Sequence, residues 1–534
     1  MRFLDNATRR DVQAVIDDNA EALRRIPGFV GAEPGFPIVD GRIFREPAII
    51  VFVAHKKPPA HLMQEERAPR QLGPFRVSVM QASPQRQLEA RESLQSLSDA
   101  IVTASASELT YEPIEGNPID EEYEVNSSLL CHVGPEAGWP VLKPFIEATR
   151  QTLTTAMYDF NADYIAKTFI DTVRASDIKA VFTWDDGMTA PETKIREKLR
   201  SSLGDQLDGW IVKCGANRRF ASAYHEKVAV RDSEAFWLSS GNWSVRSQPD
   251  IDPIANPAQA PGMYSKGNRE WHIIVEDEAL SRLFERYIEH DRDGSEAESH
   301  AGEPGLVMDV VEVPRLPDLL IPLENLVADV ELAASIVDLV EPRRLPSSNR
   351  PVRIRPVLTP DNYLPRIMEL LRNAKSSIYL QFSYINFSTA AHDGPFREML
   401  ALLADLSYRP KMEIRIIVGS SDAADKIRKL VENGFNEQCF KVQANIHNKG
   451  IIVDGEIVLI SSTNWSSDGV LRNRDAGLII YDPEIAGYYK SIFDDDWEDR
   501  ARSGLEDDPP VVLAEVDEPT PPGMARINWR DYYP

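Results

Sequence analysis

Two stretches of this chain place a histidine and a lysine two residues apart, then an aspartate, a serine pair and an asparagine at matching distances. The first, HEKVAVRDSEAFWLSSGNWS, supplies His225, Lys227, Asp232, Ser239, Ser240 and Asn242. The second, HNKGIIVDGEIVLISSTNWS, supplies His447, Lys449, Asp454, Ser461, Ser462 and Asn464. A strand turns alternate side chains to opposite faces, so His-x-Lys puts imidazole and ammonium on one face, where both can grip one ligand. An anionic phosphate suits such a grip. The ammonium supplies fixed positive charge, and the imidazole can attack phosphorus or donate a proton near neutral pH. Asn242 and Asn464 add amide donors that do not titrate. Downstream of each asparagine stands a third element, Asn268-Arg269-Glu270 in the first half and Asn473-Arg474-Asp475 in the second. A carboxylate at Glu270 or Asp475 can accept the proton on the far nitrogen of a catalytic ring and fix its tautomer.

One His-x-Lys alone reads as a surface pair, whereas two copies with identical downstream offsets specify a phosphate site. Asp232 and Asp454 end their strands and are expected to cap or turn the chain as a structural part of the motif. Trp243 and Trp465, directly after the asparagines, are expected in the core. The remaining histidines, His55, His61, His132, His272, His290, His300 and His392, lie outside the pattern and are expected to be structural or on the surface. Cys131, Cys214 and Cys439 are odd in number and lack both metal-ligand spacing and a pairing framework, so neither a metal nor any other cofactor is expected.

In these residues the chain resembles the phospholipase D superfamily, whose signature is His-x-Lys, four residues, Asp, six residues, Gly-Ser-x-Asn, present twice in single-chain members. The resemblance covers both halves, about 310 of 534 residues. It departs at Ser239 and Ser461, which stand where the signature has glycine, a change expected to leave catalysis possible. The resemblance implies a phosphodiesterase that needs no metal and works by double displacement. His225 would form a covalent phosphohistidine, while His447 protonates the leaving alcohol and then activates water or an incoming alcohol. Lys227, Lys449, Asn242 and Asn464 would hold the non-bridging oxygens, with Ser240 and Ser462 as further substrate-binding residues. A phospholipid is favoured over nucleic acid as the phosphodiester, because no Lys/Arg-rich arm is present. Two other readings are a nuclease using the same histidines and a non-catalytic phosphate-binding module.

Such a site needs elements that bring the two copies face to face, and the sequence repeats them in order. A helical stretch (WPVLKPFIEATRQ, then DNYLPRIMELLRNAK) leads to a strand (LTTAMYDF, then SSIYLQFSYI). A further helix leads to a second strand (IKAVFTWDD, then MEIRIIVGSSD), and each unit closes on the paired strands that carry the motif. Strands alternating with helices indicate an α/β fold. The expectation is two similar α/β/α sandwich domains, 128–290 and 350–502, packed about a pseudo-twofold axis. Residues 1–125 read as a small N-terminal α/β domain of unknown role, with Val12, Val15, Ile16, Leu23 and Ile26 near helical spacing and strands at 48–55 and 75–80. In the first half, 246–267 is a Pro-rich insertion without counterpart in the second, read equally as a lid, a substrate wall or an inert loop.

Net charge is -25, but it is uneven. From Tyr287 to Pro342 there are 14 acidic and 2 basic residues, and from Asp494 onward 12 and 4, which leaves the rest of the chain close to neutral. Residues 291–349 therefore read as an acidic, Pro-rich interdomain segment, with apolar residues for a short helix in 325–340. Residues 503–534 read as an extended acidic, Pro-rich tail. The charged N-terminus has no signal-peptide core, and no apolar run approaches the roughly 20 residues of a membrane span. A cytoplasmic protein with at most peripheral membrane contact is expected.

Overall fold

Each half of the chain builds an eight-stranded sheet, and the two sheets run through equivalent strands in the same order. The first runs Leu207–Val212, Lys179–Asp185, Thr152–Met157, Lys227–Arg231, Ala235–Ser239, Glu270–Val275, Leu129–Gly134 and Arg343–Leu345. The second runs Phe440–Gln443, Glu413–Gly419, Ser377–Phe382, Lys449–Val453, Ile457–Ser461, Ala476–Tyr481, Val352–Leu358 and Tyr123–Val125. In both, the first three strands are parallel, as helical crossovers require, and the motif strands that follow are antiparallel. The computed structural model describes residues 2–91, 109–301, 317–323, 339–348, 350–505, 510–514 and 519–532; the helix expected in 325–340 lies outside these up to residue 338.

Helices cover both faces of each sheet, giving the expected α/β architecture. Gly138–Glu147, Asp163–Ser176 and Ala190–Leu203 close the outer face of the first sheet over Leu153, Phe182 and Trp237. The inner faces of the two sheets share one core. Val228, Val230 and Ile273 of the first meet Ile452, Val458 and Ile480 of the second, with side chains from helices Glu278–Ala301 and Pro483–Asp495 filling in. Burial on both faces explains why the motif strands read as unbroken apolar runs.

The edge strands are exchanged. Tyr123–Val125 precedes the first repeat in the chain yet pairs with Val352–Leu358 in the second sheet. Arg343–Leu345 precedes the second repeat yet pairs with Leu129–Gly134 in the first. Each sheet is thus completed by the segment leading into the other.

The N-terminal module is a four-stranded sheet of Phe29–Gly35, Ala48–Val53, Phe75–Gln81 and Gln71–Leu72, with helix Asn6–Asp18 on one face. Asp5 caps that helix by accepting the Thr8 N–H at 2.9 Å. Every residue of Ala48–Val53 is buried, because the other face of the sheet packs on the second repeat. A buried ion cluster fastens this contact: Arg428 pairs with Asp425, Glu432 and Glu33, and Arg86 bridges Glu33 and Asp425.

The tail differs from the extended chain expected of it. Val512–Leu513 and Met524–Ile527 flank Leu319–Pro322 in a three-stranded antiparallel sheet. Leu88, Leu319, Ile321, Val511, Leu513 and Tyr532 form a small core beneath it. Composition concealed this because a few well-spaced apolar residues suffice once Gln87 donates its side-chain N–H to Val511 O and Tyr532 donates its hydroxyl to Asp422.

Candidate active site

Strands Lys227–Arg231 and Lys449–Val453 lie fourth in their sheets, and each histidine stands just before its strand. The segments entering the two strands are held by the opposite repeat. His225 N–H donates to Arg474 O at 2.7 Å and Arg474 N–H to Ala223 O at 3.1 Å. In the reciprocal pair, His447 N–H donates to Arg269 O at 3.2 Å and Arg269 N–H to Asn445 O at 2.7 Å. Side chains cross in the same way. His225 Nδ1 is 2.6 Å from Asp475, and His447 Nδ1 is 2.6 Å from Glu270. Each imidazole is therefore oriented by a carboxyl group of the other half, which leaves Nε2 of each ring as the reacting nitrogen.

Arg269 and Arg474, the middle residues of the Asn-Arg-Glu and Asn-Arg-Asp elements, are buried cations that hold these carboxyl groups in place. Arg269 pairs with Glu136 at 2.7 Å and Asp496 at 2.9 Å, and Arg474 with Asp361 and Asp291, both at 2.6 Å. Removing a partner from such a buried set leaves an uncompensated charge, so the backbone on either side is fixed. These carboxylates are far from the motif in sequence and nothing in their spacing marks them.

Lys227 and Lys449 are fully buried, each donating to the carbonyl of its own histidine, at 2.9 and 2.5 Å. Burial pulls Lys449 down to about 7 and Lys227 well below its ordinary value, and in both cases nearby carboxylates only partly offset it. An incoming anion would restore their charge. Burial likewise lowers His447 to about 4 against the pull of Glu270, so its ring is neutral near pH 7.

Burial opposes ionisation of both orienting carboxyl groups, yet they end on opposite sides of their ordinary values. Glu270 is held low by His447, Lys449 and Ser240. Asp475 is raised to about 7, with Lys227 and Ser462 pulling the other way. The hydrogen bonds explain the contrast: Glu270 uses one oxygen for His447 and the other for Ser240, whereas Asp475 takes both His225 and Ser462 on Oδ1 and buries Oδ2 without a partner.

Ser240 and Ser462, expected to bind substrate, support these carboxyl groups. Their hydroxyls donate to Glu270 at 2.6 Å and Asp475 at 2.8 Å and accept the N–H of Trp271 and Ala476, both at 3.0 Å. Asn242 and Asn464 keep a buried side-chain oxygen without a partner, as does Nε2 of His447. Ser239 and Ser461, in place of the signature glycine, accept the N–H two residues on, from Gly241 at 2.7 Å and Thr463 at 2.9 Å. The serine thus closes the turn that presents each asparagine. Asp232 and Asp454 lie at the far ends of the motif strands. Each accepts three consecutive backbone N–H groups, from Arg150 to Thr152 and from Lys375 to Ser377. Trp243 and Trp465 are fully buried.

The two halves differ in how open they are. A cavity of about 250 Å³ opens beside His225 and is lined by Tyr158, Tyr384, Asn386, Asn464, Ser466 and Ser467 among others. Tyr158 packs its ring edge-on to His225, with centroids 4.5 Å apart. Neither tyrosine is marked by the motif, because each lies just past the end of the strand neighbouring it, Thr152–Met157 or Ser377–Phe382. His447 is completely buried and does not reach this cavity. The segment entering it is clasped by the base of the 246–267 insertion: Arg246 donates to Asn445 Oδ1 at 2.6 Å, and Asn445 donates to Tyr264 O at 2.9 Å. Among the described residues, Asp185, Asp186 and Cys214 form a trio with atoms close enough to share a metal ion, but Asp185 already accepts the Tyr224 and Gly187 N–H groups.

Residues 367–497 match the family model described as cardiolipin synthase, PLD-like domain. A mitochondrial cardiolipin hydrolase of Chlamydomonas reinhardtii is 28% identical over 90 residues, 16% of this chain, and the match spans 40% of that relative's length. Phosphatidylserine synthase of Haemophilus influenzae Rd KW20 is similar over 75% of this chain and 94% of its own, at 12% identity and a TM-score of 0.45. Nuc of Salmonella typhimurium, a phospholipase D family member, is similar over 28% of this chain and 95% of its own, at 16% identity and a TM-score of 0.23. The family model falls on the second repeat, and the first carries the same motif on the same strands, which together support membership of the phospholipase D superfamily.

Proposed function

We propose that this chain is a phosphodiesterase that hydrolyses or transfers phospholipid head groups through a covalent phosphohistidine, with the positive charge supplied by its own lysines. The reciprocal orientation of His225 by Asp475 and of His447 by Glu270 carries the reading, since it gives one site two imidazoles with defined tautomers. One attacks phosphorus while the other delivers a proton to the leaving oxygen and later withdraws one from the acceptor. Lys227, Lys449, Asn242 and Asn464 hold charge on the non-bridging oxygens, in a water-poor setting where fixed donors act strongly. A non-catalytic phosphate-binding module would not need the two orienting carboxyl groups.

Phospholipid is favoured because both the matching family model and the curated relative are named for cardiolipin enzymes. No described helix is long and apolar enough to cross a membrane, so contact with lipid would be peripheral. The test is a side-by-side assay on cardiolipin-containing vesicles and on single- and double-stranded nucleic acid, all with excess EDTA. Head-group release from the vesicles is expected. Cleavage of nucleic acid alone would make the chain a nuclease, and activity that needs one particular divalent ion would overturn the lysine-based electrostatics.

A further inference from the structure

We propose that the cavity beside His225 is the subsite for a small polar alcohol, with His225 as the acid and base that serves it and His447 as the nucleophile. This rests on the double displacement proposed above and reverses the order that the family resemblance implies. In a double displacement the leaving alcohol departs and a new water or alcohol takes its place while phosphorus stays bonded to the nucleophile. The acid needs a route to solvent, whereas the nucleophile is better without one, since water there would compete for its lone pair.

The two histidines meet these needs differently. His225 is 6% exposed and lines the cavity; His447 is 0% exposed, and the insertion clasps the chain beside it. Nε2 of His447 is buried without a hydrogen-bond partner, and its ring stays neutral with Nδ1 facing an ionised Glu270, so the Nε2 lone pair is available to attack. At the position matching Asn445 the first repeat has Ala223, which lines the cavity with Ser222; the Asn473 side chain, not the insertion, accepts both of their N–H groups.

The cavity also describes its ligand. About 250 Å³ lies below the range of drug-sized pockets, so it holds a small group and excludes acyl chains. Tyr158, Tyr384, Ser466, Ser467, Asn386 and Asp468 are among the residues that line it, a polar set that fits an alcohol bearing further hydroxyl or amine groups.

The steps balance. The His447 Nε2 lone pair forms the N–P bond as the P–O bond to the alcohol breaks, and the released oxygen takes the proton from His225 Nε2. Water or a second alcohol then returns a proton to His225 while its oxygen bonds phosphorus, and the N–P electron pair goes back to His447.

Bis(p-nitrophenyl) phosphate separates the roles, because its phenol leaves without a proton. His225→Ala should release about one equivalent of nitrophenol per protein and then nearly stop, with acid-labile phosphate on His447. His447→Ala should show no burst. Rapid quench of the unaltered protein, followed by peptide mapping, gives the same answer without relying on either variant. Phosphate on His225, or a burst that survives in His447→Ala, would overturn the assignment. Turnover with no phosphohistidine at either position would instead sink the double displacement itself. With glycerol and 1-butanol at equal concentration, transfer to glycerol should dominate several-fold and fall in Ser467→Leu; preference for butanol, or transfer to neither, would overturn the polar subsite.

Discussion

The carboxyl groups behind the two histidines differ in how many of their oxygens are occupied, and with Lys449 this sets how the site titrates. Below about pH 4 His447 carries a proton and cannot act through its lone pair. Above about pH 7 Lys449 loses its proton, and with it part of the charge that receives phosphate. The kcat/KM for bis(p-nitrophenyl) phosphate, which reports groups of the free protein, should therefore rise through the first value and decline beyond the second. Lys449→Gln should lower the whole curve and flatten its alkaline side. A profile level from pH 6 to 9 in the unaltered protein would show that Lys449 is not the group that matters. The titrating members of this site are all legible in the sequence, because offsets repeated without error leave little else to explain. Which carboxylate serves which histidine is not legible, since the partners lie on different repeats. Tyr158, Tyr384 and the clasp on Asn445 leave no trace in the motif, being brought near it only by strand pairing and by an insertion.

At the scale of elements, the aspartates of the signature do work that chemistry alone would not suggest. Asp232 and Asp454 sit in the left-handed region at φ 56° and 55°, one strand length from the histidines, and gather the backbone N–H groups that begin the neighbouring strand. Asp232→Ala and Asp454→Ala should each lower stability by about 1–2 kcal/mol through lost acceptors. Activity per folded molecule should stay within a few-fold. Denaturant midpoints and kcat measured on the same samples distinguish this from a catalytic role, in which kcat would collapse at unchanged midpoint. Strand and helix positions in both repeats followed from the periodicity of the sequence. The exchanged edge strands did not, because Tyr123–Val125 and Arg343–Leu345 are three residues each, too short for alternation to register.

For the molecule as a whole, the tail is where composition misled most. Acidic and Pro-rich, it reads as solvated chain, yet its strands close a small core with the interdomain segment and with helix Pro84–Ala90 of the N-terminal module. Truncation after Ser503 should expose Leu88, Leu319 and Ile321, lower the thermal midpoint and promote aggregation, readable by light scattering during a melt. An unchanged midpoint would mean that this small sheet adds nothing to the rest. The exchange of edge strands bears on the molecule in time as well as in space. A ribosome makes Tyr123–Val125 before either large sheet exists, and its partner Val352–Leu358 emerges only some 230 residues later. At about 5–20 residues per second that interval is roughly ten to fifty seconds. The first repeat, whose own last strand ends at Val275, waits about 70 residues more for Arg343–Leu345 to cover its open edge. Until then the nascent chain shows unpaired backbone to its surroundings: the first sheet can close once Arg343–Leu345 has emerged, whereas Tyr123–Val125 stays unpaired until Val352–Leu358 follows.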